Sequence, residues 1–341
     1  MDSEKRIIAF AKLGEELRKN PQGNLLEAVH KTSKQNGWFT EENILLAIDS
    51  LGKMLEESKL RKWIYHYKTL NQNSENFKKA GVVMAGNIPL VGFHDFLCVL
   101  MSGHIFIGKL SSDDEYLLPA IAEMLCEIES KFKLQISFTK TQIKTADAYI
   151  AAGSNNSARY FEYYFGKYPH IIRKNRNSIA ILDGKESEED LKNIGKDIFQ
   201  YFGLGCRNVS KIFVPEDYNL DKFFEAIVDF GDLINHNKYA NNYSYYRTIY
   251  LLNKEKFLDN NFIIVKEDSK IASPPSVLYY ARYKSEKELL KKIEEEKENI
   301  QCIASGRVLE SLPTVKFGHT QSPELWDYAD GIDTMQFLLS I

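Results

Sequence analysis

The run Gly81-Val82-Val83-Met84-Ala85, closed by Gly86-Asn87-Ile88-Pro89 and followed by Phe93-His94-Asp95-Phe96-Leu97-Cys98-Val99-Leu100, decides how this chain is built. A short β-branched apolar run ended by turn residues predicts a buried strand, and the apolar segment behind it predicts a helix. The unit recurs downstream. Further strand candidates are 104–107, 148–152, 178–182, 211–214, 248–252, 277–280 and 301–304. Helical segments separate many of them, as with Leu191, Ile194, Ile198 and Phe202 along one face. Such alternation predicts parallel α/β sheets. Upstream, residues up to about Lys68 read mainly as helices, because Leu25, Leu26 and Val29, then Ile44, Ile48 and Leu51, recur at helical spacing.

With 341 residues, 44% hydrophobic and 27% charged, the chain can bury a sizeable core and is expected to form two lobes. Four cysteines without paired spacing exclude a disulfide framework and a zinc site. The start, Met1-Asp2-Ser3-Glu4-Lys5-Arg6, leads into an amphipathic stretch, and no run approaches the length of a membrane span; a reducing, cytoplasmic location is expected. A net charge of −3 argues against nucleic acid as a partner. The Lys284 to Glu298 tract reads as the solvated face of a helix opened by Ser285-x-x-Glu288.

Ligand sites in parallel sheets lie at the carboxyl ends of strands. Gly86-Asn87-Ile88-Pro89 follows the first strand, Gly108-Lys109-Leu110-Ser111-Ser112 ends the second, and Gly153-Ser154-Asn155-Asn156 follows the third and opens a helix. Small residues at a helix start leave N–H groups free for a phosphate, although each such turn alone is an ordinary cap. Their order and shared position strengthen the joint case.

A nucleophile candidate stands further on. Cys206 lies in Tyr201-Phe202-Gly203-Leu204-Gly205-Cys206-Arg207-Asn208, behind two glycines at a helix-to-strand turn, where a thiol can face a cleft with little steric cover. A thiolate is the best side-chain nucleophile for acyl groups. Cys98, Cys126 and Cys302 have apolar neighbours and read as small buried hydrophobes.

These segments together resemble the aldehyde dehydrogenase superfamily. Asn87-Ile88-Pro89 is similar to its Asn-x-Pro element, Ile107 to Ser112 to its cofactor-ribose lysine segment, Ala152-Gly153-Ser154 to its glycine-serine helix start, and Gly203-Leu204-Gly205-Cys206 to its nucleophile segment. Within it, Asn87 to Phe96 and Pro323 to Thr334 look most like the long-chain fatty acyl-CoA reductases of the LuxC type. The resemblance covers roughly Ala80 to the C-terminus. It implies an α/β, aldehyde-dehydrogenase-like fold: a helical N-terminal segment and Rossmann-type dinucleotide-binding domain over 1–175, an α/β catalytic domain over 176–315, and a segment 316–341 returning to the active-site and cofactor side.

Two departures from the superfamily pattern carry information. Ordinary aldehyde dehydrogenases have a Glu-Leu-Gly-Gly element whose glutamate activates the hydrolytic water; Arg173-Lys174-Asn175-Arg176 stands where it should be. Without that base an acyl-Cys206 thioester suits reduction better than hydrolysis. Ser112 stands three residues beyond Lys109, where NAD-preferring members often place an acid, so NADPH is the expected cofactor unless Asp113 or Asp114, which follow, turns inward.

The resemblance therefore implies reduction of an acyl thioester to an aldehyde. Cys206 would be the nucleophile and Asn87, with the Cys206 N–H, the oxyanion donor; Lys109, Ser112, Gly153 and Ser154 would hold NADPH, and no metal is needed. The donor would be acyl-CoA or an acyl-carrier protein, in a homo-oligomer or a complex with an acyl-activating or acyl-transfer enzyme. A cysteine-dependent acyltransferase or thioesterase, and a non-catalytic module of the same fold, are the alternatives. Retained cofactor elements argue against the former, and Cys206 with Asn87 against the latter. Among the histidines His94 and His104 fall on scaffold segments, and His319, in Phe317-Gly318-His319-Thr320, is the one to test as a proton donor ahead of His170. Tyr163, Tyr164, Phe165 and the aromatics of Tyr243 to Tyr246 could line an acyl tunnel, but ordinary core packing is the expectation.

Overall fold

The computed structural model describes residues 1–67, 77–309 and 311–341; Lys68, at the edge of the expected helical segment, lies outside the described residues. The chain divides into two compact units, Met1–Asn175 with Glu324–Ile341, and Arg176–Pro323.

The first unit opens with helices α1 (Ser3–Leu17), α2 (Gly23–Gln35), α3 (Glu41–Met54) and α4 (Glu57–Tyr65). Asp2 caps α1 by accepting the Lys5 N–H at 2.8 Å, and Thr40 caps α3 through the Asn43 N–H at 3.2 Å. Ile7, Phe10, Leu13 and Leu17 form the buried stripe of α1. Phe10 enters edge-on between Phe96 and Phe132, at 6.4 and 5.7 Å between ring centroids. Burial of such a ring stabilises by roughly 1.5–3 kcal/mol, so the helical segment is anchored to the sheet domain behind it.

That domain is built on a parallel sheet of β1 (Lys79–Val83), β2 (Ile105–Lys109), β3 (Ile136–Thr139), β4 (Ala148–Ala152) and β5 (His170–Arg173), in the order β3-β2-β1-β4-β5. Helices α5 (Phe93–Ser102), α6 (Leu117–Ile128) and α7 (Asn155–Phe165) make the crossovers after β1, β2 and β4. The return from edge strand β3 to β4 crosses the sheet without an α-helix. Gly81 makes room for it: a Cβ there would lie 3.2 Å from both Ile143 and Ala146 and 3.1 Å from Tyr149.

The second unit contains β6 (Asn177–Ile181), α8 (Glu188–Phe199), β7 (Val209–Pro215), α9 (Leu220–Ala226), α10 (Asn237–Leu252), β8 (Leu258–Asp259), β9 (Ile264–Glu267), β10 (Val277–Tyr283), α11 (Glu286–Glu296) and β11 (Ile300–Ser305). Its sheet runs β11-β6-β7-β10-β9-β8, parallel except for the short β8 against β9. Leu191, Ile194 and Ile198 turn one face of α8 onto Val209, Ile212 and Val214 of the sheet core.

Of the expected C-terminal segment, Glu324–Ile341 belongs to the first unit and ends in α12 (Thr334–Leu339), while residues 316–323 belong to the second. The Tyr328 hydroxyl accepts the Trp63 indole N–H at 2.7 Å, Tyr67 donates to Asp333 at 2.9 Å, and Lys62 lies 4.1 Å over the Trp326 ring. The 326–333 stretch thus straps α4 to the sheet domain.

Three sequence expectations are corrected. Residues 248–252 are the last turn of α10 and not a strand, because Tyr239, Tyr243 and Tyr250 recur on one buried helical face that overrides the β-branched Thr248-Ile249. Phe202 lies beyond the end of α8, which stops at Phe199. Tyr163, Tyr164 and Tyr245 are 82%, 54% and 59% exposed, so they are surface residues; Tyr243 alone of these four packs in the core.

Candidate active site

In the first sheet the chain runs outward from β1 to β2 and β3, then returns to lay β4 and β5 on the other side. The strand order therefore reverses between β1 and β4, and a doubly wound sheet binds ligands in the crevice outside the carboxyl ends at that point. Asn87 follows β1, Gly153 and Ser154 follow β4, and Lys109 is the last residue of β2. Val83 is in register with both Lys109 and Ala151, so the three ends are level. Five of the six residues singled out from sequence, Asn87, Lys109, Ser112, Gly153 and Ser154, are gathered at this edge.

Each is held by local structure. Ser154 caps α7 by accepting the Ser157 N–H at 3.2 Å, and no acidic residue sits in the first turn, which leaves the positive helix end available to an anion. Gly86 lets the Asn87 loop press on the Lys109 loop, since a Cβ there would sit 2.3 Å from Ser111 Oγ. The loops are also joined by Asp114, whose Oδ2 accepts the Leu90 N–H at 2.8 Å and holds Leu90 at a left-handed φ of 59°. Burial pushes the Asp114 carboxyl up to about 6. Asp114 is thereby turned into the protein, while Ser112 and Asp113 are exposed. The helical segment braces this loop from outside: Gln35 Nε2 donates to the Ser112 carbonyl at 2.7 Å.

Cys206 belongs to the second unit. Tyr201, Phe202 and Gly203 follow α8 with φ of 53°, 57° and 76°, three consecutive left-handed residues of which two carry side chains. The 205–208 turn comes next, closed by the Asn208 N–H to the Gly205 carbonyl at 3.0 Å, and Cys206 is exposed on it. The buried Asn208 side chain organises the whole passage. Its Nδ2 donates to the carbonyls of Asp197 (3.0 Å), Ile198 (3.3 Å) and Gln200 (2.8 Å), filling the acceptors that the end of α8 leaves over. Its Oδ1 accepts the Gly205 N–H at 2.8 Å. On β6, Ser178 Oγ donates to the Cys206 carbonyl at 3.1 Å.

The same helix end holds the His319 loop. The buried Asp197 carboxylate accepts the N–H groups of Gly318 (2.7 Å) and Thr320 (3.0 Å) and the Thr320 hydroxyl (2.8 Å), and Arg207 donates to the Thr320 carbonyl. Asp197 thus ties the Cys206 turn, through its own carbonyl, to the 317–320 loop, through its side chain. His319 is exposed on that loop.

The remaining candidates are structural. His104 Nε2 meets the Leu338 carbonyl at 2.8 Å and His94 Nε2 the Leu325 carbonyl at 3.0 Å, so both fasten the C-terminal strap. His170 lies on the edge strand β5. Cys98 is fully buried, which pushes its thiol well above the ordinary value and leaves it unreactive. Arg173, first residue of the segment expected in place of the Glu-Leu-Gly-Gly element, is buried against Asp95 at 2.6 Å and Thr334 at 2.8 Å. Ser178, Asp197 and Asn208 escape a reading of the sequence alone, and only Asn208, two residues past Cys206, has a position that could raise suspicion; Asp114 is legible as an acid two residues past Ser112, its bond to Leu90 is not.

Two units of this kind, a doubly wound sheet and a second parallel sheet with a cysteine at a glycine-rich turn, are an aldehyde-dehydrogenase-like fold. An Escherichia coli NADP-dependent enzyme superimposes with a TM-score of 0.68 at 11% identity, covering 91% of this chain and 74% of its own. Aldehyde dehydrogenase 21 from Physcomitrella patens, solved with succinate, gives 0.67 at 14% identity over 100% and 84% of the two chains. An oxidoreductase from Marinobacter aquaeolei gives 0.69 at 11% identity over 95% and 79%. The chain belongs to the acyl-CoA reductase (LuxC) family, whose model matches residues 19–229. No curated protein matched the sequence.

Proposed function

We propose that the chain reduces a fatty acyl thioester, carried by CoA or by an acyl-carrier protein, to the aldehyde with NADPH, through an acyl-Cys206 intermediate. The observation that carries this is the Cys206 thiol, exposed on a turn held by buried side chains, in a chain of the acyl-CoA reductase family.

The first unit fits a dinucleotide. Its switch-point crevice has an acid-free helix start at Ser154 for phosphate and a cation at Lys109. Preference for the 2′-phosphorylated cofactor rests on Ser112 standing where an acid would repel it, and on Asp114 being turned to the Leu90 amide. When bound, NADPH supplies the hydride that reduces the acyl carbon.

The chain's own residues do the rest. The Cys206 thiolate attacks the thioester carbonyl; a new C–S bond forms, the bond to CoA breaks, and the CoA thiolate leaves and takes up a proton from solvent. The reading requires the Asn87 amide and the Cys206 N–H to converge on the carbonyl oxygen, where each donor is worth about 3 kcal/mol to the developing oxyanion. The same two donors would hold the oxyanion left once the acyl carbon is reduced, and its collapse would release aldehyde and return the Cys206 thiolate. Arg173, bound to Asp95 and Thr334, offers no base for hydrolysis.

The test is a panel of acyl-CoAs with NADPH or NADH, following absorbance of the reduced cofactor and identifying the product. Acyl-dependent oxidation of NADPH with aldehyde formation is expected. Release of free fatty acid without cofactor consumption would replace the reading with a thioesterase.

A further inference from the structure

Three successive peptide groups around Cys206 are each held by a hydrogen bond, and two buried residues supply them all. The Gly205 N–H, which fixes the peptide before Gly205, donates to Asn208 Oδ1 at 2.8 Å. The Gly205 carbonyl accepts the Asn208 N–H at 3.0 Å, which sets the plane of the Gly205–Cys206 peptide and therefore the direction of the Cys206 N–H on its opposite side. The Cys206 carbonyl accepts Ser178 Oγ at 3.1 Å, which sets the peptide after it. With both flanking planes set, φ and ψ of Cys206 are set, and so is its Cα–Cβ direction. Ser178 and Asn208 are 0% and 1% exposed, so neither reaches a substrate. The preceding Tyr201 and Phe202 are left-handed, a strain kept only where surrounding bonds over-determine the backbone. The Asn208 amide to the Gln200 carbonyl is one such bond.

We infer that Ser178 and Asn208 are positioning residues that aim the Cys206 N–H as an oxyanion donor, so that they govern acyl transfer to the thiol and not the thiol's intrinsic reactivity. The inference rests on Cys206 being the acylated nucleophile. Acylation passes through a tetrahedral oxyanion, whereas alkylation by iodoacetamide displaces iodide at carbon with no oxyanion on the acceptor. The two reactions of one sulfur therefore report separately on the N–H and on the thiol.

The experiment compares wild type, Ser178→Ala, Asn208→Ala and Cys206→Ala by two rates: formation of the acyl-enzyme from an acyl-CoA without NADPH, followed by intact mass, and carbamidomethylation of Cys206 by iodoacetamide, followed by peptide mass. Ser178→Ala should acylate at least tenfold more slowly, with alkylation within twofold of wild type and the KM for acyl-CoA unchanged. Asn208→Ala should show a larger loss of the same kind. If it does not fold, Ser178→Ala, which deletes one hydroxyl from a strand, decides alone. Equal loss in acylation and alkylation, or no loss in either, would overturn the inference. An acyl adduct of normal yield on Cys206→Ala would instead refute the nucleophile assignment on which it stands.

Discussion

Arg173 Nη1 and Asp95 Oδ2 are 2.6 Å apart at a site where both residues are only 7% exposed. The pair joins the end of β5 to the first turn of α5, and Arg173 Nη2 extends it to Thr334 at the start of α12 at 2.8 Å. Asp95 lies in the stretch that follows Asn87, and Thr334 closes the C-terminal strap, so two segments far apart in sequence are locked through one guanidinium.

Removing one partner of such a pair leaves a buried charge without compensation, which costs about 3–5 kcal/mol. Arg173→Met should lower the unfolding free energy of the full chain by that amount in urea titration. The double variant Asp95→Leu/Arg173→Met should regain most of it. A single-variant loss under about 1 kcal/mol would show that the pair does not hold the strap.

With acyl-CoA and no NADPH, the wild-type protein should accumulate one acyl group on Cys206, and later addition of NADPH should discharge it as aldehyde. Cys206→Ala should form neither adduct nor aldehyde while binding NADPH as before, because the nucleophile and the cofactor residues lie in different units. Cys98→Ala should keep aldehyde formation, since it only opens a buried helix face. Intact-protein mass spectrometry follows the adduct, product analysis the aldehyde, and a binding titration the NADPH. Normal turnover by Cys206→Ala would remove the covalent mechanism.

Asn87→Ala should lower kcat by about 10²-fold with little change in KM, because an oxyanion donor acts on the transition state and hardly on the ground state. Steady-state kinetics at saturating NADPH measure it. A loss confined to KM would make Asn87 a substrate-binding residue.

Asp114 carries a pH signature. Its carboxyl titrates at about 6 in the folded chain against 3.8 unfolded, so between these values the native state holds a proton that the unfolded state has lost, and unfolding free energy falls as pH rises through that window. Asp114→Asn removes the titration and keeps an oxygen for the Leu90 N–H. From pH 4 to pH 7 the stability of the variant relative to wild type should therefore rise by about 2.4 kcal/mol, most of a shift of about two units at 1.36 kcal/mol each. Parallel pH profiles for the two proteins would show that Asp114 is not held in a desolvated site.

Strands β1, β2, β4, β6, β7, β10 and β11 were legible because each is a short apolar run bounded by turn residues. Strands β3, β5, β8 and β9 were not: in β3 and β5 exposed Ser137 and half-exposed His170 dilute the apolar pattern, and β8 has two residues. The 248–252 segment misled because β-branched residues are common in strands, while the helical face of α10 is written in tyrosines, which serve either structure.

By itself the sequence determined the parallel α/β class, the strand ends carrying Asn87, Lys109 and Gly153-Ser154, and the glycine turn around Cys206. Apolar periodicity and turn chemistry are local, and local patterns survive in a one-dimensional string. The strand order that creates the switch point between β1 and β4 was decided only in three dimensions. So were the burial of Asp114 beneath Leu90, the bond from Ser178 to the Cys206 carbonyl, and the Asp197 clamp on the His319 loop. These depend on residues 24 to 123 positions apart finding one another, and a polar side chain declares its partner only when burial leaves it no water to bond instead.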